Sequence, residues 1–445
     1  MPNFIIINNK VSTFKKTLTV EGDKSLSIRS LIFASQANGI SKIQNLLESD
    51  DVFSTISCLR KLGIKISKVK KKYLIKGNGI GKFNFKKGII LNAGNSGTLA
   101  RLIIGLLINS PFKIKIIGDK SLSKRDFFRV IEPLSKFGIE FYPKNQTKLP
   151  LSVKGSNESN TKIKYLSTFR ENKGSAQVKS AIMLSSLISN KQIKIIAKKS
   201  RDHTEKFFKF LNLPLRIKKT KKFDIIEMKK FNKFKAFNYK IPSDISSSMF
   251  FIALVVLAKK SKISIKNVNI NHSRTGAIDI LKKMGIEILL KNIKIYKGEK
   301  VADIIVTTPK IIKPIKCSKD INSRAIDEFL TIFLIASKAN GISTFKDLEE
   351  LNQKESPRLK IAAKFLTMIG VKNICKKDSI KIFGNPNLDL KGSYIMKNFN
   401  KDHRVFMMSC IAALTLGGSW KIFDPDSIKT SFPSFLNHIK NIAKI

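Results

Sequence analysis

One pattern recurs six times along the 445 residues and limits the fold more than any other feature. Each copy has a polar turn rich in Gly, Ser, Asp or Asn, an apolar helix, a short β-branched strand, a second polar loop and an amphipathic helix. The first copy runs from Gly22-Asp23-Lys24-Ser25-Leu26-Ser27-Ile28-Arg29 into the apolar stretch 31–37, with a strand at 40–43. Asp50-Asp51 then caps a helix carrying Val52, Ile56, Leu59 and Leu62 at helical spacing, which Gly63 stops. The second opens at Gly94-Asn95-Ser96-Gly97-Thr98, places a strand at 112–117, and caps its next helix around Ser123-Lys124-Arg125, burying Phe128, Ile131, Leu134 and Phe137. The third opens at Gly174-Ser175-Ala176-Gln177 and presents Ser200-Arg201-Asp202-His203. The fourth opens at Pro242-Ser243-Asp244, with a later loop at Ser273-Arg274-Thr275. The fifth holds Asp327-Glu328 and Lys354-Glu355-Ser356-Pro357-Arg358, and the sixth Asp402-His403-Arg404 and Lys429-Thr430-Ser431. Gly22 and Gly94 are 72 residues apart, Gly94 and Gly174 are 80 apart.

A unit of two helices alternating with strands cannot bury both helix faces alone, so the copies must pack on one another. The chain is too long for one core, and three copies make a domain of ordinary size. The expected division is 22–241 as an inserted domain and 1–21 plus 242–445 as a discontinuous one, because a strand at 4–7 precedes the first copy and is free to pair with the second half. The chain then passes between domains near 20–22 and 240–243, which sets Lys24 beside a crossing, in the cleft.

Lys and Arg number 84 against 32 Asp and Glu, a formal charge of +52. Such an excess fits nucleic acid, an anionic membrane surface or an anionic substrate. The lysines are spread through the whole chain beside many Ile and Asn, as a codon bias would leave them, so charge alone selects no partner. Cys58, Cys317, Cys375 and Cys410 are far apart, without a metal-site spacing, and read as reduced core thiols. No apolar run approaches a membrane span and no signal segment opens the chain, so a soluble cytoplasmic protein is expected.

A helix start exposes backbone N–H groups and the positive end of a dipole, which suits an anion. Cations recur at equivalent loop ends in both halves: Lys24, Arg29, Arg101, Arg125, Arg201, Lys354, Arg358, Arg404 and Lys429. Together they fit a cleft for phosphate and carboxylate groups. Asp327 and Glu355, scarce carboxylates among these cations, are candidate proton carriers. No phosphate-binding G-x-x-x-x-G-K-[ST] loop, no G-x-S-x-G elbow and no metal spacing of His203, His272, His403 and His438 is present. His203 and His403 each follow an Asp at a loop end and read as loop organisers.

Gly22-Asp23-Lys24-Ser25 with Arg29, Gly94-Asn95-Ser96-Gly97-Thr98 with Arg101, Lys124-Arg125, Ser175-Ala176-Gln177-Val178-Lys179-Ser180 and Ser200-Arg201-Asp202-His203-Thr204-Glu205 stand in one order. Asp244-Ile245-Ser246-Ser247, Arg274-Thr275-Gly276, Ile326-Asp327-Glu328, Lys354-Glu355-Ser356, Asp402-His403-Arg404 and Thr430-Ser431-Phe432-Pro433 continue it. In these stretches, over nearly the whole chain, the sequence resembles the 5-enolpyruvylshikimate-3-phosphate synthase family. The resemblance implies a two-domain inverse α/β barrel fold, each domain three βαβαββ units around a pseudo-threefold axis with the site in the cleft between them. It implies transfer of the enolpyruvyl group of phosphoenolpyruvate to the 5-hydroxyl of shikimate 3-phosphate, with release of phosphate. No metal, no cofactor, no specific nucleic acid and no membrane is expected, and the protein is expected to be a monomer. By the same resemblance Lys24, Ser25, Arg29, Ser175, Ala176, Gln177, Ser200, Asp327 and Lys354 hold shikimate 3-phosphate. Lys24, Asn95, Gly97, Arg125, Gln177, Arg358, Arg404 and Lys429 surround phosphoenolpyruvate. Lys24, Asp327 and Glu355 are the implied catalytic groups: Asp327 as base at the attacking hydroxyl, Glu355 as proton carrier at the methylene carbon, Lys24 as stabiliser of the intermediate and the departing phosphate.

Three positions depart from the family pattern. Asn352 stands where many relatives carry Arg, Pro357 where Asp is usual, and Leu102 where Pro follows Arg101. Pro357 is acceptable in a first helical turn and predicts an altered cap with weaker fixing of the Lys354 loop. Two rivals are kept. A UDP-N-acetylglucosamine enolpyruvyl transferase shares the architecture but usually has a reactive Cys in the loop matching 118–125, which holds none here. A basic nucleic-acid-binding protein is motivated by the charge alone.

Overall fold

The computed structural model describes residues 3–155 and 167–443. Two compact units divide it: one of Met1–Glu21, Pro242–Tyr296 and Lys300–Ile445, the other of Gly22–Ile241 with Lys297–Glu299. The fold is two-domain α/β, with three small sheets in each unit among the described residues.

Parallel neighbours cannot be joined by a tight turn, so a helix bridges them. In the unit built on Gly22–Ile241, strand Ile90–Asn92 lies parallel to Ile114–Ile117 across the helix Gly97–Leu106. Thr168–Glu171 lies parallel to Ile193–Lys198 across the helix Ala176–Ser189. Each sheet then continues antiparallel through the last two strands of its copy, Leu151–Lys154 with Glu140–Tyr142, and Phe223–Met228 with Leu215–Lys219. In the first copy, Asn38–Gln44 pairs antiparallel with Lys72–Asn78 and finds its parallel partner in Asn238–Lys240, at the unit's far end. This unit therefore completes its first sheet with its last strand.

The other unit repeats the device with the N-terminus. Lys15–Leu18 lies parallel to Lys262–Asn269, which pairs antiparallel with Glu299–Thr307. Leu390–Met396 lies parallel to Gly417–Phe423, whose other edge takes Phe4–Ile7 antiparallel, Ile7 opposite Trp420. The third sheet pairs Ile342–Phe345 and Asn373–Cys375 on either side of Ile380–Phe383.

Helices Lys24–Gln36, Gly97–Leu106 and Ala176–Ser189 of one unit, and Ile245–Leu257, Phe329–Ala336 and His403–Leu416 of the other, are buried along most of their lengths. A helix apolar on all sides belongs in a core. Five of the six begin with a side-chain cap: Asp23 accepts from the Leu26 N–H, Ser96 from Leu99, Ser175 from Val178, Asp244 from Ser246 and Asp402 from Arg404. Buried helix ends leave N–H groups that water cannot reach, which is why the cap residue recurs with the repeat. Amphipathic helices cover the outside, Asp50–Lys61 and Arg358–Met368 among them.

Four local expectations need correction. Ser49, not Asp50, is the cap position of the helix Asp50–Lys61, and the two aspartates fill its first turn, where they complement the dipole. The strand expected at 112–117 begins at Ile114. The second outer helix starts at Phe128, because Asp126 Oδ1 accepts from the Phe128 N–H at 2.8 Å, while 122–124 form a separate 3-10 turn. That start rotates the buried stripe to Phe127, Val130, Leu134 and Phe137 and leaves Phe128 49% exposed. Of the cysteines, Cys58 and Cys410 are core thiols, but Cys317 is half-buried and Cys375 exposed on a short edge strand. Burial pushes the Cys58 thiol up to about 12 against the pull of Lys61, so it stays protonated.

Two interior helices touch at Gly105, where an added Cβ would lie 2.4 Å from the Ala181 carbonyl oxygen, and the Ser185 hydroxyl donates to the Gly105 carbonyl at 3.1 Å. Backbone cannot yield there as a side-chain tip can. Gly105→Val should therefore destabilise the protein by about 3 kcal/mol or more, read as a lower midpoint in urea unfolding; an unchanged midpoint would contradict this packing.

Candidate active site

The repeat places polar loops at the starts of its helices, interior and outer, and the cations of the sequence lie in those loops or in the first two turns that follow. In the Gly22–Ile241 unit, Lys24 is the first residue of its helix, where a positive charge opposes the dipole. The neighbouring helix supplies the counter-charge: Asp51 Oδ2 is 3.0 Å from Lys24 Nζ. Arg29, one turn on, donates from Nη1 to the Ser25 carbonyl at 3.2 Å. Ser25 and Arg29 thus share a helix face, as their spacing predicts.

Asn95, Gly97, Arg125 and Gln177 come together in the same unit. Arg125 Nη2 donates to Asn95 Oδ1 at 2.9 Å, and Asn95 Nδ2 donates to Asp119 Oδ2 at 2.6 Å. Arg101 Nη1 donates to the Gly97 carbonyl at 3.1 Å and to Gln177 Oε1 at 3.0 Å, and its guanidinium lies 4.7 Å from the Phe127 ring centroid. Gln177 Nε2 completes the chain by donating to Thr98 Oγ1 at 2.9 Å. A Cβ on Gly97 would lie 2.8 Å from Arg101 Nη1 and 3.2 Å from Arg125 Nη1, so only glycine leaves both guanidinium groups in place. Ser175 and Ala176 open the neighbouring interior helix, the former as its cap. Ser200 has a buried hydroxyl with no hydrogen-bond partner among the described residues.

The other unit gathers Asp327, Glu355, Arg358 and Arg404 around one buried guanidinium. Arg358, 2% exposed, donates from Nε to Asp402 Oδ2 at 2.9 Å and from Nη2 to Glu355 Oε2 at 2.5 Å. Its Nη1 lies 3.6 Å from Asp327 Oδ1 and has no hydrogen-bond partner among the described residues. Arg404 donates from Nη1 to the Asp327 carbonyl at 3.0 Å, and its Nη2 stands 4.0 Å from Asp327 Oδ2. Asp402 does three jobs: it holds Arg358, caps the helix through the Arg404 N–H at 3.0 Å, and accepts from the Ser356 hydroxyl at 2.8 Å. Burial alone would lower the Arg358 pKa, but Asp402, Glu355 and Asp327 outweigh it and hold the guanidinium charged. Burial would likewise raise Asp402, yet Arg358 above all keeps its carboxyl below the usual carboxylate range.

Two expected site residues are held by carboxylates on their own loops. Lys354 Nζ is 3.0 Å from Glu350, and the 60% exposed Lys429 is 2.7 Å from Asp426. Pro357 sits at the cap position just before the helix Arg358–Met368, not inside its first turn, and contributes no side-chain bond. Asn352 serves instead, accepting from the Lys360 N–H at 3.4 Å, a long bond, while Ser356 is tied to Asp402. Two of the three departures from the family pattern therefore meet at one helix start. His403 opens its helix and shares a 3.2 Å contact with the Thr430 hydroxyl. Sequence reasoning missed Asp51 and Asp402 as counter-ions, although a cation at the start of a buried helix already requires a carboxylate nearby. Among the described residues no cluster of three His, Cys, Asp or Glu side chains is placed to hold a metal, and no helix is long and apolar enough to cross a membrane.

This architecture is that of the enolpyruvyl transferases. The enolpyruvyl transferase NikO from Streptomyces tendae superposes with a TM-score of 0.73 over 99% of this chain and 97% of that one, at 11% identity, a likeness of fold alone. EPSP synthase from Acinetobacter baumannii superposes with a TM-score of 0.84 at 31% identity, covering 98% of both chains. The 3-phosphoshikimate 1-carboxyvinyltransferase of Vesicomyosocius okutanii is 38% identical over 100% of this chain and 98% of its own, that of Bacillus subtilis 34% over 98% and 99%. The family model for EPSP synthase (3-phosphoshikimate 1-carboxyvinyltransferase) matches residues 8–439, and the chain belongs to that family.

The depressed Asp402 carboxyl predicts a pH dependence with a definite sign. A folded-state pKa below the unfolded one adds stability that is present above about pH 4 and is lost as pH falls through the folded value. Asp402→Asn should cost about 3–5 kcal/mol at neutral pH, because Arg358 loses a buried partner. The gap to wild type should narrow below about pH 4. Urea unfolding across pH 3 to 7 would check it, and a gap constant with pH would contradict the assignment.

Proposed function

We propose that the protein transfers the enolpyruvyl group of phosphoenolpyruvate to the 5-hydroxyl of shikimate 3-phosphate, releasing phosphate, in the shikimate pathway toward aromatic compounds. The observation that carries this reading is the arginine–carboxylate cluster of Asp327, Glu355, Arg358 and Arg404, in a chain of this family. It combines two arginines suited to an anionic substrate with two carboxylates suited to moving protons.

In the proposed reaction the 5-hydroxyl oxygen bonds to C2 of phosphoenolpyruvate while C3 gains a proton, giving a tetrahedral intermediate. C3 then loses a proton, the bond from C2 to the phosphate oxygen breaks, and the enol double bond re-forms. Asp327 takes the hydroxyl proton, and Glu355 gives and later removes the proton at C3. The open Nη1 of Arg358 and the guanidinium groups of Arg404 and Arg125 bind phosphoenolpyruvate, with Asn95, Gly97, Gln177 and Lys429. Lys24 stabilises the charge that develops on the intermediate and on the departing phosphate. Lys24, Ser25, Arg29, Ser175, Ala176, Gln177, Ser200, Asp327 and Lys354 hold shikimate 3-phosphate. Each step is a proton transfer or a bond exchange at carbon, which calls for no metal or organic cofactor. We further read the protein as a cytoplasmic monomer, on the family resemblance.

The test is phosphate release from phosphoenolpyruvate by the full chain in EDTA, with shikimate 3-phosphate in one arm and UDP-N-acetylglucosamine in the other. Release in the first arm alone is the expected result; release in the second alone would overturn the substrate. Glu355→Gln should keep substrate affinity while lowering turnover by roughly two orders of magnitude or more, since it keeps shape and removes a proton carrier. Near-normal turnover would remove Glu355 from its role.

A further inference from the structure

Three of the segments proposed to hold shikimate 3-phosphate, those around Lys24 to Arg29, Ser175 to Gln177 and Ser200, meet at two hydroxyl groups assigned no role so far. Arg29 Nε donates to Thr204 Oγ1 at 2.9 Å, and Arg29 Nη2 donates to Ser180 Oγ at 3.2 Å. Thr204 Oγ1 and Ser180 Oγ lie 2.7 Å apart, and Ser180 Oγ also donates to the Ala176 carbonyl at 2.7 Å. Arg29 is 4% exposed, and Ser180 and Thr204 are each 1% exposed.

Proton counting fixes the direction of every bond. A hydroxyl has one proton to give. Ser180 gives its proton to the Ala176 carbonyl, so the contact between the two hydroxyls must run from Thr204 to Ser180. Thr204 then accepts from Arg29, and Ser180 accepts from both Arg29 and Thr204. The result is one directed path from the guanidinium through Thr204 and Ser180 to the backbone of Ala176. The third nitrogen, Nη1, is turned back to the Ser25 carbonyl.

We infer that Thr204 and Ser180 are positioning residues for shikimate 3-phosphate. They hold the Arg29 plane in one orientation and lock its helix to the start of the helix Ala176–Ser189 and to the first turn of His203–Phe210. A guanidinium binds a carboxylate or phosphate in the plane of its fork, so a rotation of that plane costs affinity even when the charge remains. Beside this path Lys179 and Glu205, next in sequence to Ser180 and Thr204, form a buried ion pair at 2.5 Å, which further fixes the two helices against each other. The inference rests on the proposed assignment of Arg29 to shikimate 3-phosphate.

Thr204→Val keeps the shape and removes the hydroxyl; Thr204→Ser keeps the hydroxyl and removes a methyl. In steady-state assays of the full chain, Thr204→Val should raise the KM for shikimate 3-phosphate roughly tenfold. The KM for phosphoenolpyruvate and kcat should change far less, and Thr204→Ser should restore the KM. Ser180→Ala, which breaks the same path one step further, should repeat the KM effect. A merely structural loss would move both KM values or fail to distinguish Ser from Val at position 204. If Thr204→Val and Ser180→Ala both bind shikimate 3-phosphate as wild type does, the positioning role is overturned while the function stands. If the wild-type chain shows no saturation by shikimate 3-phosphate, the underlying reading falls, and the inference with it.

Discussion

Cations at helix starts, each set against a carboxylate, anchor the candidate site of this structure. Each opposes the dipole of its own helix and would not be tolerated alone in a core. The chain balances them with carboxylates fixed on neighbouring elements: Asp51 for Lys24, Asp402 for Arg358, Asp327 beside Arg404. Such pairing holds the cations in place before any ligand arrives, which is the condition for recognising an anion without reorganisation. Asp402 has the widest reach, since one carboxylate caps a helix, holds an arginine and anchors a serine. Through Arg358 it also sets the position of Glu355.

The repeat explains why these groups recur at the same place in each copy. A short cap residue at the start of an interior helix satisfies buried N–H groups, and it fixes the residues just after it in the first turn. Asp23, Ser96, Ser175, Asp244 and Asp402 mark that position five times, and Lys24, Gly97, Ala176 and Arg404 follow within two residues. Closing each unit with a strand from a distant part of the chain, Asn238–Lys240 in one and Phe4–Ile7 and Lys15–Leu18 in the other, lets a repeat be used without an unpaired first sheet.

Much of the fold was legible because helix caps, glycine stops and apolar runs are local signals. The interior helices announce themselves by apolar runs after a polar turn, and the pairing of Phe4–Ile7 with the second half follows from a strand that precedes the first copy. What failed was phase: with Asp126 at its entry the helix starts at Phe128, at least two residues later than a cap around Ser123-Lys124-Arg125 implies, and the exposed Phe128 is the consequence. The candidate site residues were named through resemblance, which rests on motif order. Their partners were not. Asp51, Thr204 and Ser180 act across more than twenty residues of sequence, and nothing in local spacing tells a counter-ion or a brace from an ordinary helix-start residue.

We read the charges set in place by fixed carboxylates as the groups that recognise the anionic parts of the substrate. Titration calorimetry of the full chain with shikimate 3-phosphate, and in parallel with unphosphorylated shikimate, tests it most directly. The account predicts one equivalent of shikimate 3-phosphate bound, weakening as salt rises, with shikimate at least roughly tenfold weaker because a charge-assisted contact is missing. Equal affinity for the two would contradict it.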